Sequence, residues 1–358
     1  MEHRHSCFLF KPDGIGDFFL SSGVVRLLGR EFGEENLTIA VLPVMESVVR
    51  GQFPKAAIVK LPLRTKRIVL NLFAANCLRC FLPWLTLLRM NVTVSISLRN
   101  MRDYLQNVLF FSVRTQERFL CMNPLLANGR PVRRWTEHAF SAIFRPRVLP
   151  YPEPIQGIPS ELEAHRLIVS AALHRDVAIG EIWPQLQAVG KPPIKTPFWV
   201  CAPFSSGVEK DFPLERWVIF FLEVDRQGQF PSLVLTGSSD QRGRLEEFHT
   251  LLAAASEKLA SLTTIIIPGN LQDFIDLLAG AGCVLTVDTA AAHAATALDC
   301  RTLILFSGKH QGMFAPWSRS GRQSWVILKQ TSGNQPWHAS YNTEELLHHL
   351  EAVLSFSK

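Results

Sequence analysis

The chain has 358 residues, 47% of them hydrophobic and 19% charged. That length suggests two domains, and the composition excludes disordered, collagen-like and low-complexity chains. The formal charge of +6 is unevenly spread: residues 1–190 carry 23 Lys and Arg against 15 Asp and Glu, and residues 191–358 carry 14 against 16. A basic first half fits an anionic partner (lipid, phosphorylated sugar or nucleic acid) as well as it fits a merely solvated surface. No nucleic-acid reading motif accompanies it. Seven cysteines, an odd number, read as reduced thiols rather than a disulfide framework.

The opening MEHRHSCFLFKPDG is too polar for a secretory signal, which points to a cytoplasmic protein. Residues 7–10, CFLF, read as a buried strand. KPDGIGD follows as a glycine-bearing turn, and Phe18, Phe19, Val24, Val25, Leu27 and Leu28 recur at helical spacing. LTIAVLP is a second strand, which completes a βαβ opening. Ile68–Leu88 is the most apolar stretch. Asn71, Asn76, Arg79 and Pro83 interrupt it, so it falls short of a membrane span. It reads either as a buried helix with a snorkelling arginine or as a helix lying in a membrane interface, with Arg64, Lys66, Arg67 and Arg79 toward headgroups. Val92–Leu98 is a strand, and a helix follows through Tyr104–Ser112.

Ile182–Pro197 holds four prolines and a glycine and reads as a linker between domains at 1–181 and 198–358. Beyond it, strands and helices alternate. The strands are FWVCAP, SLVLTG, TTIIIPG, CVLTVD and TLILFSG; the helices are Leu214–Val224, Gln241–Leu259, Leu271–Ala281 and Ala290–Leu298. Such alternation predicts a doubly wound α/β domain. TEELLHHLEAVLSF closes the chain as an amphipathic helix. Two α/β domains joined by a hinge place a ligand site in the cleft between them.

Four constellations could carry chemistry. In Lys11–Asp17, Gly14 and Gly16 let backbone approach a ligand, and the helix start suits an anion. The turn is neither a dinucleotide fingerprint nor a P-loop. Asp17 reads either as a carboxylate stabilised by the helix dipole or as a general base. In Ser205–Trp217, the loop of Ser205, Ser206 and Gly207 follows a strand, and Lys210 could reach a phosphate. In Val287–Ala297, Asp288 ends a strand and Thr289 can cap a small-residue helix carrying His293. His293 alone reads more readily as a core histidine. In Gly237–Asp240, Asp240 could take ribose hydroxyls. No Asp-x-Asp occurs, and the Cys77–Cys80 CxxC lacks a second ligand pair, so no metal site is expected.

In order and spacing these motifs resemble glycosyltransferase family 9, the bacterial lipopolysaccharide heptosyltransferases. Lys11, Asp13, Gly16 and Asp17 match R-x-D-x-x-G-D, with Lys for Arg. Lys210, Phe212, Pro213 and Trp217 match K-x-W-P-x-x-x-W, with Phe for Trp. Gly237 and Asp240 match G-x-x-[DE]; Asp288, Thr289 and His293 match D-[ST]-G-x-x-H, with Ala290 for the glycine. The resemblance runs from about residue 7 to residue 316 and is weakest over residues 50–180.

The resemblance implies a GT-B architecture: two Rossmann-like domains facing each other across a cleft. It implies inverting, metal-independent transfer of a sugar, with no cofactor beyond the nucleotide-sugar donor. The family donor is ADP-heptose, and the family acceptor is a phosphorylated lipopolysaccharide core at the inner face of a Gram-negative inner membrane. Asp17 would be the catalytic base. Lys210 would offset the leaving diphosphate together with Ser205, Ser206 and the helix after Thr289. Asp240 would hold the ribose, and Asp288, Ala290 and His293 would line the donor site. Asp13, Gly14 and Gly16 would form the acceptor or phosphate loop. A non-catalytic nucleotide-sugar-binding homologue and a nucleotide-sugar epimerase are the alternatives.

Overall fold

The computed structural model describes residues 6–63, 70–99, 104–122, 139–228, 230–308, 311–327, 337–338 and 341–355. It divides into two compact units, Met1–Pro184 and Gln185–Lys358. Arg64, Lys66 and Arg67, assigned above to a headgroup-facing role, lie outside the described residues.

In the first unit, β1 (Cys7–Phe10), β2 (Leu37–Val41), β3 (Ala57–Lys60), β4 (Asn91–Ser97), β5 (Arg114–Met122) and β6 (Arg147–Pro150) form one parallel sheet in the order β3-β2-β1-β4-β5-β6. In the second, β7 (Phe198–Ala202), β8 (Ser232–Thr236), β9 (Thr263–Ile266), β10 (Cys283–Val287), β11 (Thr302–Phe306) and β12 (Gln323–Ile327) run β12-β11-β10-β7-β8-β9. Counted within each unit, both orders are 3-2-1-4-5-6, the doubly wound dinucleotide-binding topology. The order reverses between β1 and β4, and again between β7 and β10. At such switch points, loops at the carboxyl ends of neighbouring strands diverge and leave a crevice.

Central strands of parallel sheets are covered on both faces and therefore read as unbroken apolar runs. CFLF, FWVCA, CVLTV and TLILF are buried throughout, and the sequence reading recovers them. It misses β3, β5, β6 and β12, whose exposed, charged or polar residues dilute that signal. Residues 241–259 do not form one helix. They form α8 (Arg242–Ala255) and α9 (Glu257–Ser261), because Ser256 turns extended and caps α9 by accepting from Leu259 N at 3.3 Å.

Helix α1 (Ile15–Phe32) carries the first motif, and its position depends on Gly23. A Cβ there would stand 2.2 Å from the carbonyl oxygens of both Ile182 and Trp183. Helix α3 (Leu70–Arg89) runs through Pro83, in keeping with the reading of Ile68–Leu88 as one helix. The first unit also contains α2 (Glu46–Gln52), α4 (Tyr104–Phe111), α5 (residues 139–144) and α6 (Ser160–Ala172). The second contains α7 (Leu214–Arg226), α10 (Leu271–Ala279), α11 (Ala290–Ala297) and α12 (Thr343–Ser355). In its core, Phe212 meets Trp217 edge to face at 5.3 Å, which accounts for two apolar positions of the second motif. None of the seven cysteines, all among the described residues, forms a disulfide.

Candidate functional site

The first motif lies at the first unit's switch point. Lys11 leaves β1 with its ammonium fully buried. It binds Asp13 Oδ2 at 2.8 Å and the Leu98 carbonyl at 3.1 Å, and Glu161 Oε1 stands at 3.6 Å. Burial pushes the Lys11 ammonium below its usual range; Glu161 and Asp17 oppose that shift and Arg99 adds to it. Asp13 also pairs with Arg99, which donates onward to Gln106 at 2.6 Å and to the Pro12 carbonyl at 3.4 Å. Lys11, Asp13 and Arg99 thus brace the turn from within.

Asp17 lies in the first turn of α1, where the helix dipole favours its carboxylate. Gly14 caps the helix with an ordinary φ of −58°, so positive φ is not why glycine stands there. Space is: a Cβ on Gly14 would come within 3.1 Å of Asp17 Oδ2. Gly16 is the second residue of α1 rather than part of the turn.

Sequence reasoning missed three members of this cluster. Arg99 follows β4 across the switch point, and Glu161 and His165 come from α6. His165 is fully buried, neither ring nitrogen makes a hydrogen bond, and Nε2 stands 3.5 Å from Glu161 Oε1. Burial lowers its pKa and keeps it neutral. The available signal was Glu161 and Glu163 opening a helix after Pro159.

The second unit gathers the other candidates at its own switch point. Lys210 Nζ, on the loop after β7, donates to Asp288 Oδ2, at the end of β10, at 2.8 Å. Asp288 is buried, and Lys210 keeps a quarter of its side chain exposed. Thr289 precedes α11 in extended backbone, and its side chain caps no amide. Ala290 is the first residue of α11 and is half-buried, as is Thr289. The first-turn amides of α11 thus have no side-chain cap.

His293 is one turn into α11 and 7% exposed. Its Nδ1 accepts from Trp317 Nε1 at 3.2 Å, and the rings stack at 14°. Accepting at Nδ1 puts the neutral ring's proton on Nε2. Burial pulls its pKa down to about 4; Asp288 opposes the shift and Lys210 adds to it. Trp325 stands 6.1 Å away and donates to the Trp317 carbonyl at 2.7 Å. This tryptophan support was not legible in the sequence.

The Ser205 loop is tied to its neighbour. Ser205 N donates to Asp211 Oδ1 at 2.7 Å, and Asp211 Oδ2 accepts from Arg244 at 2.7 Å. The Arg244 guanidinium lies 3.8 Å from the Phe204 ring centre. Gln241 Nε2 donates to the Ser205 carbonyl at 3.3 Å. Ser206 is exposed. Asp240 is exposed on a turn after β8, the strand beside β7. Among the described residues, no group of three His, Cys, Asp or Glu side chains could hold a metal ion.

Residues 172–337 match the family model described as glycosyltransferase family 9 (heptosyltransferase). The match spans Ser205, Lys210, Asp240, Asp288 and His293; the Lys11–Asp17 motif lies outside it. No curated protein matches the sequence. Among solved structures, the chain resembles the Escherichia coli ADP-heptose lipopolysaccharide heptosyltransferase II, with 15% identity, 98% of each chain covered and a TM-score of 0.64. It resembles E. coli heptosyltransferase WaaC with ADP at 13% identity, covering 97% of this chain and 99% of that one, with a TM-score of 0.70. A family 9 glycosyltransferase from Veillonella parvula gives 9% identity, 99% and 98% coverage, and a TM-score of 0.69. At these identities the likeness shows the fold: two Rossmann-like units of the GT-B heptosyltransferase kind.

Proposed function

We propose that this chain is a glycosyltransferase that moves a sugar, with inversion, from a nucleoside-diphosphate donor to a hydroxyl of a phosphorylated glycan. The observation that carries the reading is the second unit's switch point, where Lys210, the α11 amides and the neutral His293 stand together. A departing nucleoside diphosphate gains negative charge as the glycosidic bond breaks, and aimed donors stabilise it. Lys210 can exchange Asp288 for a phosphate oxygen, the α11 amides face an anion, and His293 Nε2–H offers a neutral donor. These groups would do the work of a metal ion.

Asp17 takes the proton from the acceptor hydroxyl as its oxygen attacks the anomeric carbon. A single displacement by the acceptor oxygen inverts the anomeric centre. Asp13 and the Gly14 turn hold Asp17 in place, and Ser205 and Ser206 border the phosphate-binding loop. Asp240 is assigned to the donor ribose. The family match and the likeness to the E. coli heptosyltransferases support ADP-heptose as donor and a lipopolysaccharide core as acceptor.

The test is calorimetric titration with ADP, UDP, GDP and CMP without added metal, followed by turnover of the matching sugar nucleotide with and without acceptor. One diphosphate binds selectively, and Lys210→Ala weakens it about 10- to 100-fold, the worth of a charge-assisted bond. Donor consumption without acceptor would make the protein an epimerase or hydrolase instead. Binding without turnover would make it a non-catalytic homologue.

A further inference from the structure

His293 is supported by a segment far from it in the chain. Trp317 is buried, and its Nε1–H donates to His293 Nδ1 at 3.2 Å. The two ring planes lie within 14° of each other with their centres 6.3 Å apart, so the indole N–H meets the imidazole edge that carries the Nδ1 lone pair. Trp317 is itself fixed. Its carbonyl accepts from Trp325 Nε1 at 2.7 Å, and the Trp325 ring, on the edge strand β12, reaches both His293, at 6.1 Å, and Phe306, at 5.7 Å. The turn after Trp317 is closed by Ser318, which donates to Gln323 at 2.6 Å and accepts from Gly321 N at 2.9 Å.

An indole N–H donates and never accepts. With Nδ1 so occupied, the imidazole can take a second proton only by expelling Trp317, because the imidazolium would set one N–H against another. The contact therefore admits one state of the ring: neutral, with its proton on Nε2. The surroundings agree. Burial disfavours the imidazolium most; Lys210, on the loop after β7, adds to that, and Asp288, at the end of β10, opposes it. We propose that Trp317, fixed by Trp325, is a positioning residue of the second unit's site: it holds His293 as a neutral Nε2–H donor and bars the ring from acting as an acid or base. His293 can then bind only an oxygen that accepts, such as a phosphoryl oxygen. The electron pair of the breaking glycosidic bond leaves on the diphosphate, and no proton follows it from His293. The role at the donor rests on the transferase reading, whereas the hold on the ring is measured without nucleotide.

The test is nitrogen-15 NMR of the full chain labelled at histidine and tryptophan, with the His293 signals identified by their loss in His293→Gln. In the wild type the ring is the Nε2–H tautomer above pH 6.5, and the Trp317 indole proton shifts only as His293 titrates, near pH 4. Trp317→Phe keeps an aromatic ring and removes the N–H. It should raise the His293 midpoint by about one pH unit, populate the Nδ1–H tautomer and weaken diphosphate binding about fivefold. Trp325→Phe should move the midpoint the same way by less. In the His293→Gln background, Trp317→Phe should not weaken diphosphate binding further, since its effect runs through the imidazole. A His293 midpoint and tautomer unchanged in a folded Trp317→Phe would overturn the proposal. So would an equal loss of affinity in both backgrounds, which would make Trp317 a packing residue. If Trp317→Phe does not fold, the wild type decides: an indole proton indifferent to the His293 titration overturns the proposal, and one that follows it supports it. A wild type that binds no diphosphate would strike the transferase reading, and the titrations would still decide the hold on the ring.

Discussion

The two sheets share one strand order, yet their switch points hold sites of opposite character. In the first unit, Lys11, Asp13, Arg99 and Glu161 satisfy one another behind the turn, with Lys11 wholly buried. In the second, one ion pair spans the crevice, its lysine is partly exposed, and the adjoining helix start has no side-chain cap. Topology places a crevice at each switch point, and the buried charges give the two crevices different chemistry. The first places a carboxylate, Asp17, in the first turn of a helix beside Gly14. The second offers one lysine and uncapped helix amides, the groups that the proposed reading gives to a diphosphate.

The largest expected effect separates the two by chemistry. Asp17→Asn should lower turnover by about 10²–10⁴-fold, the usual worth of a general base, and leave diphosphate affinity within about twofold. Initial rates beside calorimetry check this. If affinity falls together with rate, Asp17 belongs to donor binding and the division between the units is wrong.

The next separates them by stability. Lys11→Met removes the buried cation between Asp13 and Glu161, leaving Arg99 as the ion-pair partner of Asp13, and should cost about 3–5 kcal/mol in chemical denaturation. Lys210→Met leaves Asp288 with water within reach and should cost about 1–2 kcal/mol. Equal losses would mean that the second pair is as structural as the first.

That contrast also explains what the sequence made legible. The central strands and most helices of the second unit could be read because apolar runs alternate with amphipathic segments between turn residues. Residues Lys11–Asp17, Ser205–Lys210 and Asp288–His293 could be placed because each follows such a strand. The partners could not. Glu161 and His165 lie about 150 residues from Lys11 and look like ordinary helix residues until α6 packs beside α1. Trp317 lies 24 residues beyond His293 in a segment without a regular pattern. Local pattern reveals the strand and its turn, whereas burial and long-range pairing appear only once the chain has folded.

His293 sharpens the comparison through pH. Its folded pKa, about 4, lies below the ordinary value of 6.5, so the unfolded chain binds the extra proton first. This contribution to stability is complete above pH 6.5, falls as pH drops toward 4, and levels off below. Its full size is of order 3 kcal/mol. The difference in unfolding free energy between wild type and His293→Gln should shrink by up to that amount over the window, since His165 and the carboxylates are common to both proteins. A flat difference would show that His293 is solvated or already charged in the fold.

The smallest effect concerns the loop that carries Lys210. Arg244 bonds Asp211, stacks on Phe204, and through Asp211 fixes the Ser205 amide. It sits on α8, two strands from β10, so it acts on the donor only through the loop. Removing it loosens the lysine's position without taking away the lysine. Arg244→Ala should raise the donor KM about fivefold, roughly the 1 kcal/mol of an exposed stacked cation, and leave kcat nearly unchanged. Arg244→Lys keeps the charge but loses the planar stack, so it should recover only part of the affinity. Full recovery by lysine would reduce the contact to simple charge. A fall in kcat at constant KM would mean that Arg244 acts in the transition state, and the second unit would then hold a more rigid site than the Lys210–Asp288 pair alone suggests.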